Sequence, residues 1–133
     1  IWIYPDESGL EPTYDQRSYE PSEWKNTLLP VASGQNLQNV VTFHTDATIY
    51  RCDLEAGRKI TCDHTKGRRV FVYVTKGQLS VNDQHIGEAD QARVDVEKPL
   101  ILAAEQGAEF ILIDVPSCKG WGYSDETLSG GKK

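Results

Sequence analysis

The sequence predicts an all-β domain, a sandwich or barrel, and three observations carry that prediction. From Val40 onward, short runs rich in β-branched and aromatic residues (VVTFHTDATIYRCDL, RRVFVYV, QLSV, QARVDV, LILAA, FILIDV) are cut by turn residues at intervals of roughly 8 to 12 positions. No segment sustains apolar residues at helical spacing. The last run, FILIDV, is nearly all apolar, the pattern of a strand covered on both faces, so it is placed at the centre of a sheet.

In chain order, Ile1 to Tyr4 form a short β-prone run closed by Pro5, and Asp6 to Pro12 carry turn chemistry at Ser8-Gly9 and Pro12. Tyr14 to Glu23 is polar and holds Pro21, which favours irregular or extended chain. Trp24 to Val31 reads as a single turn or a short strand, followed by a loop over Ala32 to Asn36. The regular pattern then divides the chain into an N-terminal strand and linker (1–36), a barrel (37–116) and a Gly- and Ser-rich tail (117–133) anchored only by Trp121 and Tyr123. Within the barrel, Ile60 to Cys62 and Val70 to Val74 are strands flanking a polar turn at Thr65 to Arg69. Strand alternation puts Val70, Val72 and Val74 on one face, where they would fill the interior. Asn82-Asp83 marks a tight hairpin, and Gly87 and Gly107 punctuate two further turns.

Composition bounds the function. The 133 residues are 38% hydrophobic and 26% charged, which suits one globular core rather than disorder. A net charge of -6 argues against direct contact with nucleic acid or an anionic membrane, since both need clustered cations. Only Lys66, Arg68 and Arg69 cluster, as in a solvated turn. No apolar run approaches the roughly 20 residues of a membrane span. Cys52, Cys62 and Cys118 are odd in number and form no CxxC pair, so free thiols and a reducing, cytoplasmic setting are expected. Cys52 and Cys62 would face one another only if their strands pair directly, which keeps a disulfide as the minor alternative. His44, His64 and His85 lie in three separate segments and are expected at the surface rather than on a metal. The chain has no methionine, so a preceding segment is expected.

The stretch GRKITCDHTKGRRVFVYVTKG, Gly57 to Gly77, resembles the first motif of the cupin barrels, Gly, five residues, His-x-His, three or four residues, Glu, six residues, Gly. Gly57 and Gly77 fit its ends. The ligand positions fall on Asp63, Thr65 and Val70, and the fourth ligand histidine of the second motif falls on Leu100. The frame therefore resembles a cupin-type jelly roll whose metal site has been emptied. A narrower resemblance is carried by IWIYPDESGLEPTYDQ, with Gly9, Pro12, Tyr14 and Gln16 in place, then by TIYRCDLEAG, RRVFVYVTKGQLSVN and AEFILIDVP. These are similar to the C-terminal half of the pirin family.

That resemblance implies a two-barrel parent whose metal, usually iron, belongs to a first barrel upstream of Ile1. It also implies an activity described either as quercetin cleavage or as transcriptional cofactor function. For this chain it implies no catalytic residue and no cofactor. Asp63, at the one frame position that keeps a carboxylate, would line a pocket with Tyr50 or Arg93 if the barrel were open. Two readings follow. The first is a non-catalytic module that binds another protein chain or itself. In that reading a homodimer is expected to use Ile1, Trp2, Ile3 and Tyr4, the strand left uncovered without a first barrel. The second is a metal-free small-molecule binder, or the accessory half of a quercetin dioxygenase.

Overall fold

A computed structural model describes residues 3–12, 14–62, 67–96 and 99–117. Their elements are a short 3-10 helix (Pro21–Trp24) and the strands β1 (Leu29–Ser33), β2 (Val41–Thr42), β3 (Thr48–Leu54), β4 (Arg58–Cys62), β5 (Arg68–Gly77), β6 (Leu79–Val81), β7 (Gln84–Ile86), β8 (Gln91–Asp95), β9 (Leu100–Ala104) and β10 (Ala108–Pro116). A six-stranded sheet, in the order β2-β1-β3-β10-β5-β8, faces a four-stranded sheet, β4-β9-β6-β7. This is the cupin-type all-β fold. The sheet already takes in Leu29 to Ser33, ahead of the boundary expected at 37, because β1 pairs antiparallel with β3 through Leu29–Arg51 and Ser33–Thr48. No strand forms at Ile3 and Tyr4. The tail from Cys118 onward, including Trp121 and Tyr123, lies outside the described residues.

Alternation along β10 explains its central place. Ala108, Phe110, Leu112 and Asp114 are buried while the intervening residues are half-buried, and the strand is bonded to β3 on one side and β5 on the other. From β5, Val70, Val72 and Val74 are fully buried, as their spacing predicts. They meet Leu54, Leu79, Leu100, Leu102, Phe110 and Leu112, each at most 1% exposed. Side chains of this size contribute about 1.5–3 kcal/mol each when fully buried, so this hydrocarbon is the core that holds the two sheets together.

Turns fix the strand order. Asn82 and Asp83 both have positive φ, 46° and 70°, which is the type I′ geometry whose twist matches a two-residue hairpin between β6 and β7. Gly77 sits at φ 80° where β5 ends, and a Cβ there would stand 2.3 Å from the carbonyl oxygen of Gly107. Only glycine permits that approach.

Cys52 on β3 and Cys62 on β4 are buried free thiols on strands of different sheets, so the strands carrying them do not pair. Burial, the largest cause, pushes the Cys52 thiol up to about 12, and the charge of Cys62 adds to the same direction. Two outcomes are expected. Titration of the unfolded, non-reduced protein finds three reactive thiols, and a count of one would reveal a bridge. Gly77→Ala costs about 2 kcal/mol or more, from positive φ together with the clash, and denaturant unfolding measures it.

Candidate functional site

The polar end of the sandwich is built by strand register. Ser33 pairs with Thr48, Thr48 with Asp114, Asp114 with Val70 and Val70 with Val94, so these five side chains form one row across the six-stranded sheet. Ser33, Thr48 and Asp114 are 1%, 0% and 2% exposed. The next row inward holds Tyr50, Leu112, Val72 and Ala92. Asp114 thus carries a carboxylate into the core at the inward parity of β10, whose other inward residues, Ala108, Phe110 and Leu112, are apolar. A buried carboxylate is tolerated only with hydrogen bonds and a cation.

Arg68, the first residue of β5, supplies the cation. Its Nε donates to Asp114 Oδ1 at 2.5 Å, one terminal nitrogen donates to Asp46 Oδ2 at 3.1 Å, and the other donates to the Asp46 carbonyl at 3.1 Å. Burial alone would lower the Arg68 pKa, but the hydrogen bonds to Asp46 and Asp114 outweigh it and the pKa is raised. Hydrogen bonding from Arg68 holds the Asp46 carboxyl below its ordinary value. Burial, followed by the charge of Asp114, raises the Tyr50 hydroxyl. The network continues through Gln35, which donates to Asp46 Oδ1 at 2.8 Å and accepts from Thr48, and through the 2.7 Å contact of Ser33 and Thr48. Gly34 allows the loop above to close, since a Cβ there would lie 1.9 Å from the Thr45 carbonyl oxygen.

That loop also receives the N-terminal segment. Asp6 N–H donates to the His44 carbonyl at 2.6 Å, and the Thr45 hydroxyl donates to the Tyr4 carbonyl. Tyr4 itself keeps 78% of its surface exposed, and Ile3 is half-buried; Ile1 and Trp2 lie outside the described residues.

Of the pocket residues singled out from sequence, Tyr50 and Arg93 do not converge. Tyr50 points into the sandwich beside Asp114, whereas Arg93 is exposed on the opposite face of the same sheet, its guanidinium 5.0 Å from the ring centre of Phe71. Asp63, Thr65, His64 and Lys66 lie outside the described residues. Val70 and Leu100, at the other two frame positions, are buried hydrocarbon with no exposure and cannot ligate a divalent metal. His44 and His85 are exposed on separate elements. Among the described residues no cluster of three or more His, Cys, Asp or Glu is arranged to hold an ion. Of the residues that do converge, Arg68, Asp114 and Asp46, sequence reading singled out only Arg68, and expected it in a solvated turn rather than against a buried carboxylate.

Breaking this pair identifies its role. Arg68→Met leaves Asp114 buried without its cation and is expected to cost about 3–5 kcal/mol in denaturant unfolding. Asp46→Asn, at a solvated carboxylate, costs less than about 1 kcal/mol. Because the Asp46 pKa is lowered by folding, its contribution is present above the ordinary carboxylate pKa and is lost as pH falls through the folded value. The pH dependence of unfolding should therefore flatten on the acidic side in Asp46→Asn.

With this geometry in place, comparison with known proteins agrees on one family. Residues 30–115 match the family described as the quercetinase C-terminal cupin domain. A quercetin 2,3-dioxygenase of Escherichia coli K12 is 29% identical over 117 residues, covering 87% of this chain and 49% of the relative. A pirin-like protein of Caulobacter vibrioides is 25% identical, covering 86% and 50%. The crystal structure of YhhW from Escherichia coli superimposes with a TM-score of 0.78 at 26% identity, covering 86% of this chain and 48% of that one. The same bacterial pirin has been crystallised in complex with nickel(II). The chain spans about half the length of the relatives it matches. It belongs to the quercetinase C-terminal cupin family, the second-barrel half of pirin-like proteins.

Proposed function

We propose that this chain is a non-catalytic cupin half that works through its surface, by binding another protein chain or a second copy of itself in a reducing, cytoplasmic setting. The observation that supports this reading is the buried hydrocarbon of the core. Val70, Val72, Val74, Leu100, Leu102 and Leu112 have no exposure, and the polar groups above them are engaged with Arg68. A cupin that turns over a flavonol needs an open barrel and a metal to activate the substrate and dioxygen, and two of the four ligand positions here are hydrocarbon. The two buried free thiols suit a reducing compartment. Among the described residues no helix is long and apolar enough to cross a membrane.

A second reading is favoured by the relatives. Several are named quercetin 2,3-dioxygenase and are about twice the matched length, so this half would support a catalytic barrel without contributing a ligand. Elemental analysis and one assay separate the possibilities. The purified chain is expected to hold less than a stoichiometric amount of iron, nickel, zinc or manganese after dialysis against a weak chelator, and to leave quercetin unconsumed when each metal is added back. Activity that arises only on mixing with the N-terminal half of a relative would select the accessory reading. One tightly held ion per chain with turnover would sink the non-catalytic one.

A further inference from the structure

The strand β8 is the last of the six-stranded sheet. Val96 N–H donates to the Arg68 carbonyl and Val74 N–H to the Asp90 carbonyl, at 2.9 and 3.1 Å. In the same register Val70 pairs with Val94 and Val72 with Ala92, so these positions exchange hydrogen bonds with β5. The backbone groups of Gln91, Arg93 and Asp95 therefore point along the sheet to its outer edge. Side chains alternate the other way: Ala92 and Val94 are half-buried toward the interior, and Arg93 and Asp95 are exposed on the outer face.

We propose that a second copy of this chain pairs antiparallel along β8, with Val94 on the two-fold axis, so that one sheet runs through both copies. This deepens the reading above, resting on its second-copy arm and placing that contact on a named strand edge, and it stands whether or not the barrel assists catalysis. The register follows from charge. With Val94 opposite Val94, Arg93 of each copy lies beside Asp95 of the other, twice over. Shifting the axis to Arg93 would set two guanidinium groups opposite one another, which is destabilising. Shifting it to Ala92 would set Arg93 against an uncharged glutamine.

Among the described residues Arg93 makes no ion pair, and its stacking on Phe71 holds it at the edge. Asp95 accepts from Arg69 at 2.7 and 3.0 Å and would be shared between two guanidinium groups, giving a row of Arg69, Asp95 and the incoming Arg93. Charges on an edge strand ordinarily repel a neighbour. Here the opposite signs two residues apart make the edge complementary to itself, and a closed isologous pair satisfies both copies.

Three measurements on the full chain test this. Light scattering at micromolar concentration is expected to give twice the 14.9 kDa chain mass, unchanged when residues 1–5 are deleted. A single-chain mass, or a dimer lost on that deletion, overturns the proposal, the latter by assigning the contact to the N-terminal segment. Arg93→Asp and Asp95→Arg should each weaken the dimer on the order of tenfold or more, while an equimolar mixture of the two recovers it, because both cross-copy pairs are then opposite in sign. Failure of the mixture to recover, with both variants folded by near-ultraviolet circular dichroism, overturns it. Should a charge variant fail to fold, Val94→Cys in a Cys118→Ser background decides. A non-hydrogen-bonded pair on the axis brings the two Cα atoms within disulfide reach, so oxidation should link two chains, and a dimer that stays unlinked refutes this register.

Discussion

The carboxylate of Asp114 is the constraint around which one end of this protein is arranged. The pleat of β10 leaves it no choice of face: Phe110, Leu112 and Asp114 share a parity, and the first two must be inside. Desolvating a carboxylate is tolerated only if a cation is desolvated with it and the remaining lone pairs are met. Arg68 enters from the neighbouring strand, and its planar fork reaches both Asp114 and the loop carboxylate of Asp46. One guanidinium thereby ties β5, β10 and the loop before β3 into a unit, and Gln35, Thr48 and Ser33 extend it to β1.

This arrangement bears on where the chain meets other molecules. The loop secured by Arg68 also receives the backbone of Tyr4 and Asp6, so the path of the N-terminal segment depends on a charge pair buried at the mouth of the sandwich. In the relatives, about half the length lies outside the matched region. The apolar core and the ion pair adjoin: buried Val70, Val72 and Leu112 lie between the sheets, and Arg68 with Asp114 lies at the polar end of the same strands.

The opposite face of the six-stranded sheet has a different chemistry. Ile49, Ile113, Phe71 and Arg93 form one cross-strand row and Arg51, Ile111, Tyr73 and Gln91 the next, with Tyr73 43% exposed. Arg51 lies over the Trp24 ring at 4.1 Å and Arg93 over Phe71, so two cations cap aromatic surface there, while Arg69 closes onto Asp95.

Sequence by itself determined most of the strands and turns of the barrel. Period-two alternation places Val70, Val72 and Val74 inside because a pleated strand has only two faces. Asn82-Asp83 specifies its hairpin because both residues tolerate positive φ, and hydrocarbon at Val70 and Leu100 rules out ligation wherever those side chains point. The early start of the sheet at Leu29 was not legible, since LPVAS has no alternation and contains a proline that an edge-side position tolerates. Only the tertiary structure decided that Tyr50 and Arg93 lie on opposite faces, that Cys52 and Cys62 sit on separate sheets, and that Arg68 belongs to Asp114 across 46 positions of sequence. Those are consequences of which strands become neighbours. Strand order depends on how two sheets bury their apolar faces together, a property no single strand carries.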